Sequence, residues 1–451
     1  MGAFKSKTGA LAVALLATVA LAACSDDDGQ TPPADSGVAD SSAIDSSAGD
    51  GAADDGSKAT RFEVRIENVG AAKRFVAAGM ANTPVGASAP GPLTPGDAYE
   101  ISFSAPAGAR ISFATMFVHS NDLFYAPDPA GIALYDAQGA PRSGDVTAEV
   151  KLWDAGTEVD QEPGVGADQA PRQSGPNTGA ADSNTNVRLA ADTFNNLPAV
   201  SAVIRAELSS LGEGKFTLRL SNVSTATTLM TSTSQALAVP LAPAAWVVHS
   251  DDGALFESGK PAPAGLEALA EDGAAMTLAA ALGADAGVTP VLAPGVWAVH
   301  SEAAALFEDG KADRGEGLEA LAEDGSPAAL AAAATARSGV SSAGAFDTPQ
   351  GDGAPGPATP GKAYTFTVMA RPGEALSLAT MYVQSNDLFY APADSGIGLF
   401  DSQGQPISGD QTMTLLLWDA GTEKNQEPGI GADQAPRQSG PNSGEAEGGL
   451  V

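Results

Sequence analysis

Residues 78–179 align without a gap onto residues 343–444 at a constant offset of 265, and 64 of the 102 paired positions are identical. A period this long marks a duplicated domain, not a solenoid repeat. The chain can therefore be read against itself, because a role assigned to a residue in one copy must be open to its partner in the other. A shorter repeat lies between the copies: residues 241–273 (LAPAAWVVHSDDGALFESGKPAPAGLEALAEDG) recur at 292–325 with one residue inserted. A length of 451 residues leaves room for two or three domains with sizeable cores.

The local period is two. Phe62, Val64 and Ile66 alternate with Glu63, Arg65 and Glu67, and Phe216, Leu218 and Leu220 alternate with Thr217, Arg219 and Ser221. Tyr99, Ile101 and Phe103 repeat the pattern, as do Tyr364, Phe366 and Val368. Such alternation buries one face and wets the other, as in antiparallel sheets. The 52 Gly and 31 Pro punctuate it with turns, Pro-Gly at 95–96 and 360–361 among them. These features predict an all-β chain: two tandem antiparallel β-sandwich domains with short helices, preceded by a disordered tether. Helix is expected only at 266–271, 318–323 and 328–336. The expected boundaries are 61–211 for the first sandwich, which closes with a strand-like run at 200–208, and 212–451 for the second. The second opens at Phe216 and contains both short repeats. Val451 corresponds to Asn186, so no counterpart of 200–208 follows in the second unit. Either it lacks an edge strand, or that strand is shared or supplied otherwise.

The N-terminus carries an address. Lys5 and Lys7 precede an uncharged run from Gly9 to Ala23, ending in Leu21-Ala22-Ala23-Cys24. A basic start, a short apolar run and small residues before a cleavage point make a secretory signal over 1–23. Leu-Ala-Ala-Cys resembles the bacterial lipobox, which implies cleavage before Cys24 and acylation of that residue. The resemblance extends to sorting: Ser25 after the cysteine implies a lipid-anchored protein of the cell envelope, at the outer membrane. Residues 24–60 are rich in Asp, Ser, Ala and Gly with no aromatic residue, and read as an acidic tether. Cys24 is the only cysteine, so neither an intramolecular disulfide nor a thiolate zinc cluster can form. With 23 Lys and Arg against 55 Asp and Glu, a net charge of −32 excludes a nucleic-acid partner.

Two peptides of the duplicated block carry chemistry. MFVHSNDLFYAP at 116–127 pairs with MYVQSNDLFYAP at 381–392, and LWDAGTE at 152–158 recurs at 417–423. Each runs from an apolar strand into small polar residues, so carboxylates emerge at a strand-to-loop corner. Gly156 permits the bend that brings Asp154 and Glu158 round, and Asp122 reaches the same corner if the two strands are neighbours. Three carboxylates with carbonyls and water suit a hard cation such as Ca²⁺, and the lack of nitrogen or sulfur ligands disfavours zinc and copper. The competing reading is that Asp122 and Asp154 cap turns through their own backbone.

The same peptides resemble the spondin N-terminal domain family of extracellular matrix and bacterial secreted proteins. The likeness rests on Ser120-Asn121-Asp122-Leu123-Phe124, on Asp154-Ala155-Gly156-Thr157-Glu158, and on the His plus Leu-Glu-Ala-Leu-Ala-Glu-Asp-Gly segment. It implies an antiparallel sandwich binding one calcium ion at one end. Carried over, the ligands are Asp122, Asp154 and Glu158 in the first unit and Asp387, Asp419 and Glu423 in the second, two Ca²⁺ in all. The sequence departs from the family in ending the second motif with Glu, in placing Leu123 and Leu388 where Trp is usual, and in lacking the His/Glu segment in unit one.

Other residues read as structural. His119 is matched by Gln384, and an amide cannot replace a general base. His249 and His300 are expected to tie strand to helix through Glu271 and Glu323, and Trp153 and Trp418 to pack in the core. Arg172 and Arg437 are the only cations of the loop EPG(V/I)GADQAPRQSGPN and mark a candidate ligand rim. The resulting expectation is a non-enzymatic, calcium-binding adhesion or ligand-binding lipoprotein that meets the membrane through Cys24 and an extracellular protein or glycan through its loops. The alternative is a metal-assisted hydrolase of the envelope or matrix.

Overall fold

The computed structural model describes residues 58–451 apart from Pro171, together with the backbone strand Leu15–Ala20. Cys24, the expected lipidation site, and residues 24–57 of the expected tether lie outside the described residues.

The chain forms two antiparallel β-sandwiches, each with short helices against its larger sheet. In the first, the larger sheet runs Arg188–Leu189, Val150–Asp154, Leu123–Pro127, Arg110–Met116, Ala244–His249, Ala77–Ala81, with Ile132–Ala133 also on Arg110–Met116. Its smaller sheet runs Ala98–Ser104, Lys215–Asn222, Ile204–Gly212, Gly144–Asp145. The second sandwich repeats this with Leu415–Asp419, Leu388–Pro392, Ala375–Tyr382, Leu292–His300 and Val340–Phe346, and Ile397–Gly398 on Ala375–Tyr382. Its smaller sheet runs Ala363–Ala370, Thr60–Asn68, Leu15–Ala20, Gly409–Asp410.

In the first sandwich the central strands of the larger sheet are covered on both faces, which is why residues 111–116 and Leu123–Pro127 are buried throughout instead of alternating. One core lies between the sheets, built on Tyr99, Ile111, Phe113, Tyr125 and Phe216. Another lies under the helices Leu266–Asp272 and Met276–Ala284, where Trp153 and Phe256 meet edge to face at 4.9 Å. Phe307 and Trp418 repeat that contact at 4.9 Å. The expected helices are present; Met276–Ala284, whose Thr and Gly weaken its helical signature, is an addition.

The strand pairing corrects the expected boundaries of 61–211 and 212–451. Thr60–Asn68 pairs with Ala363–Ala370 and so belongs to the second sandwich, while Lys215–Asn222 pairs with Ala98–Ser104 in the first. The first short repeat also sits in the first sandwich, through Ala244–His249 and Leu266–Asp272, so each unit has its own His/Glu segment. The first sandwich is thus inserted after the opening strand of the second. Alternation identifies a strand but not its neighbour. The neighbour is chosen by long-range contacts, here latched by two matching asparagines. Asn222 donates through Nδ2 to Leu93 O and Val239 O at 2.9 and 2.8 Å, and Asn68 donates to Ala358 O and Pro290 O at 2.9 Å each.

The histidines do not pair with the helix glutamates. His249 Nε2 lies 2.9 Å from Ser112 Oγ and its Nδ1 2.6 Å from Asp251 O; His300 makes the same contacts with Ser377 and Glu302 at 2.8 and 2.6 Å. Burial holds both imidazoles below their usual pKa. They are neutral pins joining neighbouring strands.

Candidate metal centre

The Ser-Asn-Asp turn is built by its serine. Ser120 Oγ donates to Phe117 O at 2.7 Å and accepts from Leu123 N at 3.0 Å, closing the link between Arg110–Met116 and Leu123–Pro127. Leu123 then stands opposite Asp154 in the ladder, so Asp122 meets the start of the Asp-Ala-Gly-Thr-Glu loop. Asp122 Oδ2 accepts Thr157 N and Glu158 N at 3.0 and 3.2 Å, and Asp154 Oδ1 accepts Gly156 N at 2.7 Å. Gly156 takes φ +71°, and a Cβ there would come within 2.7 Å of Asn186 O. The second copy repeats these bonds: Asp387 Oδ2 accepts Thr422 N and Glu423 N at 3.1 Å each, and Asp419 Oδ1 accepts Gly421 N at 2.7 Å. The turn-capping reading holds for Asp154 and Asp419, which accept their own loop amides, whereas Asp122 and Asp387 cap the backbone of the other motif.

The other oxygens carry the question of a site. Asp122 Oδ1 and Asp387 Oδ1 are buried with no hydrogen-bond partner. In the second sandwich, oxygens of Asp387, Asp419 and Glu447 all lie within 4.8 Å of one another. Among the described residues this is the group of three acids that converges so closely. Glu447 was not among the expected ligands. Its signal was available, because the offset of 265 sets it opposite Asp182, acid against acid just past the aligned block.

Glu158 and Glu423 do not join such a group. Each turns one oxygen onto a glycine amide, Gly179 N at 2.6 Å and Gly444 N at 2.7 Å. A Cβ on either glycine would come within 2.2 Å of the carboxylate, so the approach requires glycine. The remaining oxygens, Glu158 Oε2 and Glu423 Oε2, are buried without partners, as are both carboxylate oxygens of Glu271 and Glu323. These helix glutamates were expected to meet histidines; they face the acid corner instead. Burial raises Glu271 and Glu323 to about 7, and Glu158 and Glu423, respectively, add to the shift.

The two corners differ in one cation. Arg188 Nη2 contacts Asp154 Oδ2 at 2.5 Å and Asp182 Oδ2 at 2.6 Å, so a guanidinium already bridges the first pair of acids. Among the described residues no cation pairs with Asp419 or Glu447. Asp419 Oδ2 accepts Asn425 Nδ2 at 2.6 Å. Burial raises Asp387 to about 6 despite two amide donors, and Asp419 adds to the rise. Asp154 is raised to about 7, first by burial and then by Asp122 and Asp160.

The loop after each acid motif is ordered by its own amides. Gln161 exchanges bonds with Asp168, Gly164 N donates to Gln169 Oε1 at 3.0 Å, and Gln173 and Asn177 tie the loop to Asp272 and Glu267 at 2.6 Å each. Arg172 is spent inside this loop, on Gly166 O at 2.8 Å and Gln169 Oε1 at 2.6 Å. Arg437 repeats those partners with Gly431 O and Gln434. It also lines a cleft of about 660 Å³ between the sandwiches, with Lys215, Lys424 and Tyr135. Neither arginine contacts the acid corner. His119 donates no bond to the acids either; its carbonyl accepts Gly164 N at 2.9 Å. No model of a known protein family matches the chain, and no curated protein matches it.

Proposed function

We propose that the protein is a lipid-anchored, non-catalytic adhesion or ligand-binding protein of the cell envelope whose second sandwich holds one Ca²⁺ on Asp387, Asp419 and Glu447. The resemblance of its motifs to the spondin N-terminal family and the lipobox-like Leu-Ala-Ala-Cys24 support the class and the anchor. The observation that carries the ion is the convergence of carboxylate oxygens of Asp387, Asp419 and Glu447 within 4.8 Å of one another, at an aspartate whose buried Oδ1 has no hydrogen-bond partner. An unpaired buried charge is costly, and a hard cation with oxygen ligands relieves it. The oxygen-only donor set fits Ca²⁺, with water completing the shell on the side of exposed Glu447.

In the first sandwich Arg188 already bridges Asp154 and Asp182, although Asp122 Oδ1 keeps no partner, so one ion is assigned, to the second sandwich. With an exposed ligand and incomplete protein coordination, an affinity in the extracellular range is expected. At a Kd of about 0.1 mM, millimolar calcium stabilises the second sandwich by roughly 1.4 kcal/mol. The ion braces the corner from which the ordered loop departs, holding that loop for a protein or glycan partner.

Calorimetric titration of the chain with Ca²⁺ tests this. About one equivalent is expected, lost in Asp387→Ala/Asp419→Ala and kept in Asp122→Ala/Asp154→Ala. Absence of both heat and a melting shift in the wild type removes the ion from the reading. Glycan-array or cell-binding signal without turnover of ester or glycan substrates supports adhesion; turnover would replace it with a hydrolase.

A further inference from the structure

The loop after the acid motif takes a different partner in each sandwich. In the first it packs at home, with Gly164 against Leu229, Thr231 and Leu237 of the same sandwich. In the second, Gly429 lies against Val288, in the segment that leads back from the first sandwich. The next residue, Ile430, is buried against the first sandwich itself, where a Cβ on Gly214 would come within 2.6 Å of its Cγ2. Glu427 Oε2 accepts Ser104 Oγ at 2.8 Å across the same junction. The cleft of about 660 Å³ lies beside these contacts, so both its walls are fixed. That volume falls in the range of about 300–1,000 Å³ usual for small-ligand sites, which concentrate at domain interfaces.

The chemistry of the walls selects the ligand. Four acids and three cations line the cleft, so a ligand carrying net charge of either sign meets its like. The cations are already engaged: Lys215 pairs with Glu213 at 2.9 Å, Lys424 with Glu445, and Arg437 donates to Gly431 O and Gln434. Two of the acids are held by neutral donors, Glu427 by Ser104 Oγ and Asp433 by Gln426 Nε2 at 2.6 Å, and their carboxylates keep lone pairs that accept hydroxyls. Tyr135 and Pro141 give the facing wall an apolar strip. The half-buried Tyr135 is locked there, its hydroxyl donated to Ala105 O at 2.6 Å and its ring edge to face with Phe216 at 5.3 Å. We propose that this cleft binds a neutral oligosaccharide, with the C–H face of one sugar ring against Tyr135 and hydroxyls on the carboxylates and ammonium groups of the two walls. The fit comes from walls set before the ligand arrives, since Gln426 and Asp433 also exchange a second bond, Asp433 N to Gln426 Oε1 at 3.1 Å. The inference rests on the ligand-binding part of the reading above, whose ligand and place it names. It does not rest on the ion, because Asp387, Asp419 and Glu447 do not line the cleft.

The test titrates the whole chain, by calorimetry, with a panel of neutral tetrasaccharides: cellotetraose, maltotetraose, laminaritetraose, mannotetraose and chitotetraose. At least one is expected to bind one to one. Ala107 and Ala432 are exposed positions on opposite walls. Ala107→Trp and Ala432→Trp fill the cleft and should each weaken that binding more than about tenfold, with Tm and calcium heat as in the wild type. Tyr135→Phe keeps the ring and should bind like the wild type, whereas Tyr135→Leu should bind about tenfold more weakly. Binding that neither tryptophan disturbs puts the sugar elsewhere and overturns the proposal, while the adhesion reading stands. Binding of no member of the panel at millimolar concentration, or of an acidic heparin tetrasaccharide alone, overturns it as well. Saccharide binding with the expected variant effects in a chain that shows no calcium heat upholds the cleft and removes only the ion.

Discussion

The two acid corners share their turns, their strands and their amide donors, and differ in how their charge is met. In the first, Arg188 lies between Asp154 and Asp182, and a side chain of the protein serves as the counter-ion. In the second, Asp387, Asp419 and Glu447 converge without one. Asn425 also stands where the first copy has Asp160. A duplicated acid motif therefore does not specify a duplicated charge balance. The local peptide sets where the carboxylates emerge, and a residue from another strand decides whether they meet a cation of the chain.

The comparison breaks most decisively at its ligands. Asp387→Ala with Asp419→Ala should abolish calcium heat altogether, whereas Asp122→Ala with Asp154→Ala should leave one equivalent in place. Two equivalents in the wild type would make the corners alike. Next in size is Arg188→Ala, which leaves Asp154 buried without its cation. It should cost about 2 kcal/mol in denaturant unfolding and bring in a second, weaker equivalent of calcium. A loss of stability that calcium does not restore would make Arg188 a structural partner only. The composition of the second site is sharpened by Glu447→Gln against Glu423→Gln. The first should weaken binding about tenfold and the second hardly at all, since the Glu423 carboxylate is held by Gly444 N. The reverse order would restore Glu423, the ligand expected from sequence.

The smallest effect is in pH. Asp387 at about 6 and Glu323 at about 7 are carboxyls raised above their unfolded values near 4. The folded metal-free chain therefore binds more protons than the unfolded chain, and these groups lose it stability as pH rises through about 6 to 7. Calcium competes with those protons, so its effect on Tm should be larger at pH 8 than at pH 5.5. His249 and His300, buried neutral, act oppositely below about pH 6.5. They do so with or without metal, so the calcium-dependent difference is the quantity to measure. A shift independent of pH would show that the ion does not sit on these acids.

Much of the fold was legible in the residues. Alternation at Phe62–Ile66 and Phe216–Leu220 marked true strands, and the Leu-Glu-Ala-Leu-Ala-Glu-Asp repeats marked true helices. Strand ownership was not legible, because Thr60–Asn68 and Lys215–Asn222 carry the same pattern and only long-range pairing assigns each to its sandwich. At the site, Asp122, Asp154, Asp387 and Asp419 stand at the expected corner. Glu158 and Glu423 sit on glycine amides, a contact between residues about twenty positions apart that spacing within DAGTE cannot reveal. Arg172 and Arg437 are consumed by their own loops, an outcome set by amide geometry.

The sequence by itself determined that the chain holds two copies of one β-rich domain and that aspartates stand at a bend in each, because periodicity and glycine placement are local properties. Only the tertiary structure decided which strand completes which sheet, and which acids meet a guanidinium and which meet one another. Those outcomes depend on groups distant in sequence whose charges and backbone bonds must be satisfied together.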